Sequence, residues 1–461
     1  MSVLWTRAEA VAATGGKSTV DWQANGVSID TRTLQKGDLF VALTDVRDGH
    51  DFVAQALEKG AAAALVACVP DGVSSDAPLL IVDDVLQALG ALGVTARARI
   101  SGQVIGVTGS VGKTGTKEML CTALSGQYRV HAAEMSYNNH WGVPLTLARM
   151  PCDTEIAVIE IGMNHAGEIS PLAIMADLDV AVITTVAPVH LAAFSGIEEI
   201  ARAKAEIFDG LKAGGTAVLN ADIGTFQILC DAARSVDARI VTFGGAKGAD
   251  IQLTAAYVSD QSTKVVFDLA GQKVAFILGA PGAHLAMNSL AVIAACDAIG
   301  ADLSRCMTNL ATWTTPKGRG AREDVVLANG VSIELIDEGF NANPTSMAAA
   351  LDVLAQIHAK GRKVAILGDM LELGETENAL HVGLADLPGL KAMDVIHLVG
   401  PLMKGLYAAL PEENRGLWIE TADVAAARIL DLLKPRDIVM IKGSKGSKVS
   451  KIVDAIRKAS A

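Results

Sequence analysis

The stretch Thr108-Gly109-Ser110-Val111-Gly112-Lys113-Thr114 has the residue types needed to hold the phosphates of a nucleotide. Phosphate oxygens are bound by backbone N–H groups that turn inward, and glycines permit that approach because no Cβ stands in the way. Lys113 would place a compact positive charge near the β and γ phosphates, and the Thr114 hydroxyl would reach a Mg²⁺ ion. The usual pattern has glycine where this chain has Val107. The stretch therefore points to a nucleoside triphosphate but not to the fate of its γ-phosphate, since kinases, motors, switch GTPases and acyl-activating ligases all begin this way. Downstream, the strand-like run Ile156–Ile161 ends in Ile159-Glu160-Ile161, putting Glu160 at the sheet's carboxyl edge, and a hard cation such as Mg²⁺ takes oxygen ligands. His190 follows another such run, Val180–Thr185, and Asp337 ends a third, where a carboxylate can reach ribose hydroxyls. Lys204, taken alone, reads as a solvated helix face.

These residues need elements to position them, and the chain supplies a strand–loop–helix alternation. Val104–Val107 is a strand leading through the glycine turn to a helix over Thr116–Leu124, whose positive end would face the phosphates. Buried strands are expected at Ile156–Ile161, Val180–Thr185, Thr216–Leu219 and Arg239–Phe243. This alternation predicts a parallel sheet covered on both faces. Three strand-like segments between Ile251 and Leu278 predict an antiparallel meander, and His284–Ile299 a helix. The βα alternation restarts after the turn-rich Thr315–Gly320, with strands at Ile333–Asp337, Lys363–Leu367, Val395–Val399 and Ile438–Ile441. Ahead of Ser101 a smaller α/β unit is expected, with strands Leu39–Leu43, Ala63–Val66 and Leu79–Val82. The expected architecture is α/β in three domains: a small N-terminal domain over 1–101, a central phosphate-loop domain with a mostly parallel sheet over 102–316, and a Rossmann-like doubly wound domain over 317–461.

Composition agrees and excludes some functions. At roughly 150 residues per domain, 461 residues imply about three domains. Hydrophobic residues are 51% and charged residues 20%, enough to bury a core and too apolar for a disordered chain. With 39 basic against 51 acidic residues, the net charge of −12 opposes a polyphosphate backbone, and aromatics at 4% offer no stacking surface, so no nucleic acid is expected. No basic-then-apolar leader follows Met1, and stretches such as Ala61–Val69 fall short of the ~18 apolar residues of a membrane helix. The six cysteines, 68, 121, 152, 230, 296 and 306, form no C-x-x-C pair. A cytoplasmic protein with free thiols, without a membrane partner and monomeric, is expected.

The motifs as a set resemble the Mur ligase family. The resemblance rests on the phosphate loop, Asn138-Asn139-His-Trp-Gly142-Val143-Pro144, Glu160-Ile-Gly-Met-Asn164-His165-Ala-Gly167-Glu168 and Lys204-Ala-Glu-Ile-Phe208. It continues in Asp337-Glu-Gly-Phe-Asn341-Ala-Asn343-Pro344-Thr-Ser346, Gly368-Asp-Met-Leu-Glu-Leu-Gly374 and Ser28-Ile-Asp-Thr31-Arg32, and spans essentially the whole chain. It implies an ATP-dependent ligase forming an amide bond through an acyl phosphate, in peptidoglycan precursor synthesis. It implies that Lys204 is carbamylated and holds Mg²⁺ with Thr114, Glu160 and His190. Thr31 and Arg32 match residues at the UDP end of the sugar nucleotide, and Asn138, Asn139, Asn341, Asn343 and Ser346 match substrate-side positions. Asn288 matches the second asparagine of the family's adenine-side His-Asn-x-x-Asn, Leu285 departing from the first, and Arg319 an arginine that reaches ATP when the last domain closes. Within the family, the Asp-Asn-Pro-Arg of the tripeptide-forming ligase is absent. This favours UDP-N-acetylmuramoyl-tripeptide and D-alanyl-D-alanine as substrates, with another Mur-type amino-acid ligase or a phosphate-loop ATPase of a different class as the alternatives.

Overall fold

The computed structural model describes residues 3–189 and 191–460. Among them the chain forms a five-stranded, a nine-stranded and a six-stranded sheet in sequence order, with a two-stranded pair at the start. In the first sheet Gly26–Ser28, Asp38–Val41, Ala63–Val66 and Leu79–Ile81 run parallel, and Lys17–Ser18 adds an antiparallel edge.

The nine-stranded sheet is the frame of the molecule. Its order is Gln272–Leu278, Thr263–Leu269, Ile251–Val258, Arg239–Gly244, Leu211–Asn220, Leu178–Ile183, Gln103–Thr108, Ile156–Glu160, Val130–Ala132. From Ile251–Val258 to Val130–Ala132 the pairings are parallel, and the first three strands form the antiparallel meander. Alternate residues of the strands feed two separate cores. Ile105, Val107, Val158 and Val182 pack under the helices Lys113–Leu124 and Ala283–Ala298. Val104, Ala157, Ile159 and Ile183 pack under the helices Ile169–Ala176, Ile197–Ala205 and Phe226–Ser235 on the other face. Both faces being covered explains why these strands read as near-continuous apolar runs.

Gln103–Thr108 lies between Ile156–Glu160 and Leu178–Ile183, so the chain leaves it to one side and later returns on the other. Loops diverge at the carboxyl end of such a strand and leave a crevice, which is where ligands of open α/β sheets bind. The phosphate loop, Glu160 and the segment after Ile183 all emerge there.

The last sheet is ordered Ala321–Val326, Ser332–Glu338, Ile438–Lys442, Lys363–Gly368, Val395–Val399, Arg415–Ile419, parallel except for the first strand. Ala321–Val326 and Arg415–Ile419 were not expected from sequence. The first carries three charges in six residues and the second is half-exposed along most of its length, as edge strands are. The helix Gly142–Ala148 was also missed. It is buried throughout, between the central sheet and the helix Val85–Ala98, so it lacks a polar face to give it periodicity. Among the described residues no helix is long and apolar enough to cross a membrane.

Candidate active site

Strand Gln103–Thr108 delivers the chain into a loop whose conformation depends on two glycines. Gly109 has φ 150° and Gly112 has φ 88°, both in the region that side chains rarely adopt. A Cβ on Gly109 would lie 2.0 Å from Thr184 Oγ1, and one on Gly112 2.8 Å from Asn288 Nδ2. Val107, where the usual pattern has glycine, is an ordinary strand residue packed in the core, so the conformational demand falls on Gly109 instead. The loop is stitched to the next strand's exit. Ser110 N donates to Thr185 O at 2.9 Å, Ser110 Oγ exchanges hydrogen bonds with the Ala187 backbone, and Thr184 Oγ1 donates to Val111 O at 2.6 Å.

The helix Lys113–Leu124 begins on Lys113 itself, so the loop's last N–H groups and the helix dipole face one place. Lys113 Nζ donates to Gly109 O at 2.6 Å. Burial pushes its ammonium pKa down, and the Glu160 carboxylate pulls it back up.

Glu160, the last residue of its strand, is 2% exposed. Its Oε1 accepts from Thr114 Oγ1 at 3.1 Å, Ser136 Oγ at 2.7 Å and Asn138 Nδ2 at 2.7 Å. Its Oε2 is buried with no partner among the described residues. A carboxylate with one oxygen saturated and the other bare has the form of a cation ligand, because a buried charge needs compensation. The described residues contain no cluster of three His, Cys, Asp or Glu side chains that could hold a metal without other oxygens.

Lys204 occupies the last turn of the helix Ile197–Ala205 and is 2% exposed, so it is no solvated face. Burial drives its pKa well below the usual lysine value, and neighbouring Lys113 drives it the same way. Among the described residues no carboxylate lies within ion-pair distance. Both influences disfavour the ammonium form, and the neutral amine is the nucleophilic one. His190 lies outside the described residues.

A cavity of about 460 Å³ lies between the carboxyl edge of the central sheet and the last domain. Lys113, Thr114, Asn138, Asn139, Glu160, Asn288, Arg319, Asn341, Asn343 and Ser346 all line it, as do Ser110, Val111 and Gly112. Arg319 enters from the turn before the last domain, with its guanidinium 4.1 Å from the Phe340 ring centre. Burial lowers its pKa, opposed by the carboxylates of Glu160, Glu338 and Glu118. Asn139 Oδ1 accepts from Gly142 N at 2.9 Å and starts the helix Gly142–Ala148. Asn343 and Ser346 cap the helix Pro344–Gln356 reciprocally at 2.9 and 3.0 Å, which presents that helix's N-terminus to the cavity.

Four of the residues expected from sequence lie elsewhere, together with Thr108, the buried last residue of its strand, and Gly109, which acts through its backbone shape. Asp337 does not line the cavity: its carboxylate accepts from Gly339 N at 3.1 Å and pairs with Arg457 at 3.0 Å. Thr31 and Arg32 belong to the first sheet's loops, Thr31 Oγ1 bonded to Gln55 at 2.7 Å and Arg32 paired with Asp30 at 2.6 Å. Lys204 sits near Lys113 without lining the cavity.

Two residues that the sequence did not suggest do line it. Glu338 and Lys442 form an ion pair at 2.9 Å, and Lys442 Nζ also donates to Asn341 O at 3.1 Å. Each is the last residue of a parallel strand, the same signal that singled out Glu160.

Comparison with known proteins agrees with this geometry. Residues 23–95 match the Mur ligase family catalytic domain, 107–296 the Mur ligase middle domain, and 322–445 the glutamate ligase domain of Mur ligases. The chain is 31% identical to the UDP-N-acetylmuramoyl-tripeptide–D-alanyl-D-alanine ligase of Rickettsia prowazekii, covering 98% of this chain and 99% of the relative. It is 34% identical to the Bacillus subtilis enzyme of that name, over 93% and 92%. A crystal structure of MurF from Acinetobacter baumannii superposes with a TM-score of 0.83 at 29% identity, over 98% and 99% of the two chains. The MurF ligase from Thermotoga maritima, in complex with ADP, gives 0.77 at 26%, over 94% and 97%. A phosphate loop and a half-bare buried carboxylate in one cavity, within a chain matched from end to end, place this protein in the Mur ligase family.

Proposed function

We propose that this chain is an ATP-dependent ligase that joins D-alanyl-D-alanine to UDP-N-acetylmuramoyl-tripeptide in the cytoplasm. The observation that carries the reading is that Lys113, Thr114 and Glu160 share one cavity with Arg319 from the last domain. The full-length likeness to relatives bearing that activity's name supports the choice of substrates. We take the enzyme to act as a monomer.

The domains divide the work at 101/102 and 316/317. Residues 1–101 would hold the UDP end through Thr31 and Arg32, since a guanidinium suits a diphosphate. Residues 102–316 hold ATP, and residues 317–461 bring the amine and close over the site. Ser110, Val111, Gly112 and Lys113 would cradle the phosphates on a loop shaped by Thr108 and Gly109, while Asn288 and Arg319, and Asp337 if freed, would face the rest of the nucleotide. Asp337 would have to leave Arg457 to do so.

The residues fit a Mg²⁺ ion, because Glu160 Oε2 is bare and Thr114 is beside it. Thr114, Glu160, His190 and a carbamate on Lys204 would hold it. Bound there, Mg²⁺ would neutralise charge on the transferred phosphoryl group. Carbamylation, by addition of the neutral amine to CO₂ with loss of a proton to solvent, would convert Lys204 from a buried base with no counter-charge into an anionic carbamate, meeting the shortage of oxygen ligands.

The peptide carboxylate is already an anion, so its attack on the γ-phosphorus requires alignment and charge neutralisation rather than a base. Lys113 and Arg319 lie in the same cavity and supply positive charge to that step. ADP leaves in that step; the neutral amine of D-alanyl-D-alanine then attacks the acyl carbon, gives up one proton to solvent, and phosphate leaves with one former carboxylate oxygen. Asn138, Asn139, Asn341, Asn343 and Ser346 line the space where peptide and amine would meet. An acyl phosphate hydrolyses in water, so closure of the last domain about Pro316–Gly320 protects it.

The test is phosphate release from ATP with UDP-N-acetylmuramoyl-tripeptide, with and without D-alanyl-D-alanine. Turnover that depends on the dipeptide is expected; equal turnover in both would defeat the ligase reading.

A further inference from the structure

Glu206 stands two residues beyond Lys204, yet its carboxylate bonds to the start of a different helix. It opens the short 3-10 turn Glu206–Gly210 that ends the helix carrying Lys204. Its Oε1 accepts from Gly167 N at 2.7 Å, and its Oε2 from Ile169 N at 3.1 Å and Ser170 N at 3.3 Å. Those N–H groups lie at the start of the helix Ile169–Ala176, whose own N-cap residue, Glu168, makes no side-chain cap. Glu168 instead accepts from Asn164 N at 2.7 Å and folds the segment that follows Glu160. Orphan donors of a helix start are normally met by a neighbour in sequence. Here they are met from 36 to 39 residues away.

The far end of the same turn is clamped to the same helix. A Cβ on Gly210 would lie 2.0 Å from the backbone carbonyl of Ala173, so the two backbones touch directly. The turn is thus held at both ends against Ile169–Ala176. That fixes the end of the Lys204 helix relative to the segment continuing from Glu160, and both Asn164 and Glu168 of that segment line the cavity.

We infer that Glu206 is a positioning residue: its bridge to Gly167, Ile169 and Ser170 sets Lys204 against Glu160 and so tunes the affinity of the nucleotide site for Mg²⁺. The inference rests on the proposed cation site. It differs from a simple cap in where its loss is felt. A cap stabilises the fold, whereas a positioning residue also sets the geometry of ligands it does not touch.

The experiment titrates Mg²⁺ into the full chain loaded with a non-hydrolysable ATP analogue, by calorimetry. Glu206→Gln offers one acceptor oxygen and turns an NH₂ toward the remaining donors. It is expected to raise the half-saturating Mg²⁺ concentration by about tenfold, the scale on which outer-shell partners act on metal sites. Glu206→Asp keeps the charge with shorter reach and is expected to raise it about threefold, less than the loss of a partner outright. Asp302→Ala, which removes a cap on the helix Leu303–Leu310 and does not line the cavity, serves as the matched loss of a cap. It is expected to lower thermal stability without moving the titration. A Glu206→Gln titration within twofold of wild type would overturn the inference; should that variant not fold, the same criterion applied to Glu206→Asp decides. Because no peptide or amine is present, a wild type that binds Mg²⁺ with the analogue but fails to ligate would refute the substrate assignment and leave this inference standing.

Discussion

Glu160→Gln separates charge from shape at the centre of the site. The substitution is nearly isosteric, and the amide oxygen can keep accepting from Thr114, Ser136 and Asn138. What replaces the bare Oε2 is an NH₂ group, which repels a cation. Each of the three hydrogen bonds loses its charge assistance, roughly 1 kcal/mol apiece. Burying a neutral amide instead of a carboxylate offsets most of this, because the carboxylate's desolvation is severe at 2% exposure. The expected change in stability is therefore within about 2 kcal/mol, or a melting shift of no more than roughly 8 °C for a domain of this size. The effect on turnover is larger: losing one electrostatic contact to developing charge costs about 3–4 kcal/mol, which is roughly 10²- to 10³-fold in kcat. Phosphate release under saturating ATP and peptide, beside a thermal melt of the same preparation, reads both. A kcat within tenfold of wild type, with an intact melt, would show that Glu160 holds no catalytic cation.

Other perturbations probe other parts of the account. Lys204→Ala is expected to lose most activity and to regain part of it with a short carboxylic acid that fits the vacated space; full activity in the variant would exclude a metal-binding carbamate. Gly109→Ala should abolish ATP binding by equilibrium dialysis, since φ 150° and a 2.0 Å clash with Thr184 cannot both be relieved; normal binding would refute the described loop. Arg319→Ala is expected to lower kcat about 10- to 100-fold while leaving binding of the UDP-linked peptide unchanged, because its proposed role is toward the ATP; an effect confined to the peptide's KM would contradict that. In the last domain, burial and Arg362 push His397 down to about 4, and its Nδ1 accepts from Leu417 N at 3.0 Å. The unfolded chain binds that proton below about 6.5 and the folded one only near 4, so stability should fall with acidification across this window by about 1.4 kcal/mol per pH unit. Urea titrations at pH 7 and 5 should show this for wild type and a shallower slope for His397→Asn; equal slopes would refute the assignment.

Much of the molecule was legible in its sequence, for physical reasons that also explain the gaps. The central strands could be read because burial on both faces leaves runs such as Ile156–Ile159 and Val180–Ile183 without polar interruption. The phosphate loop could be read because only glycine tolerates the conformations of Gly109 and Gly112. Gly142–Ala148 could not, since a fully buried helix of seven residues has neither periodicity nor length. Lys204 was legible only through its place among the other motifs, for nothing local to Ala203–Glu206 shows that its ammonium is buried. Glu338 and Lys442 carried a readable signal in their strand-end positions, but their pairing depends on two strands separated by a hundred residues coming side by side. Asp337 carried the same signal, yet its neighbour Glu338 lines the cavity while Arg457 holds Asp337 outside it. A one-residue step along a strand reverses the side-chain direction, and sequence alone does not say which of two adjacent carboxylates points inward.

The most direct test follows an oxygen atom. With both oxygens of the reacting carboxylate of UDP-N-acetylmuramoyl-tripeptide labelled with ¹⁸O, one turnover in the presence of D-alanyl-D-alanine should leave a single ¹⁸O in the released phosphate and the other in the new amide, read by mass spectrometry. Phosphate carrying no ¹⁸O, its fourth oxygen drawn from solvent, would mean that the γ-phosphorus was attacked by water and never by the peptide acid.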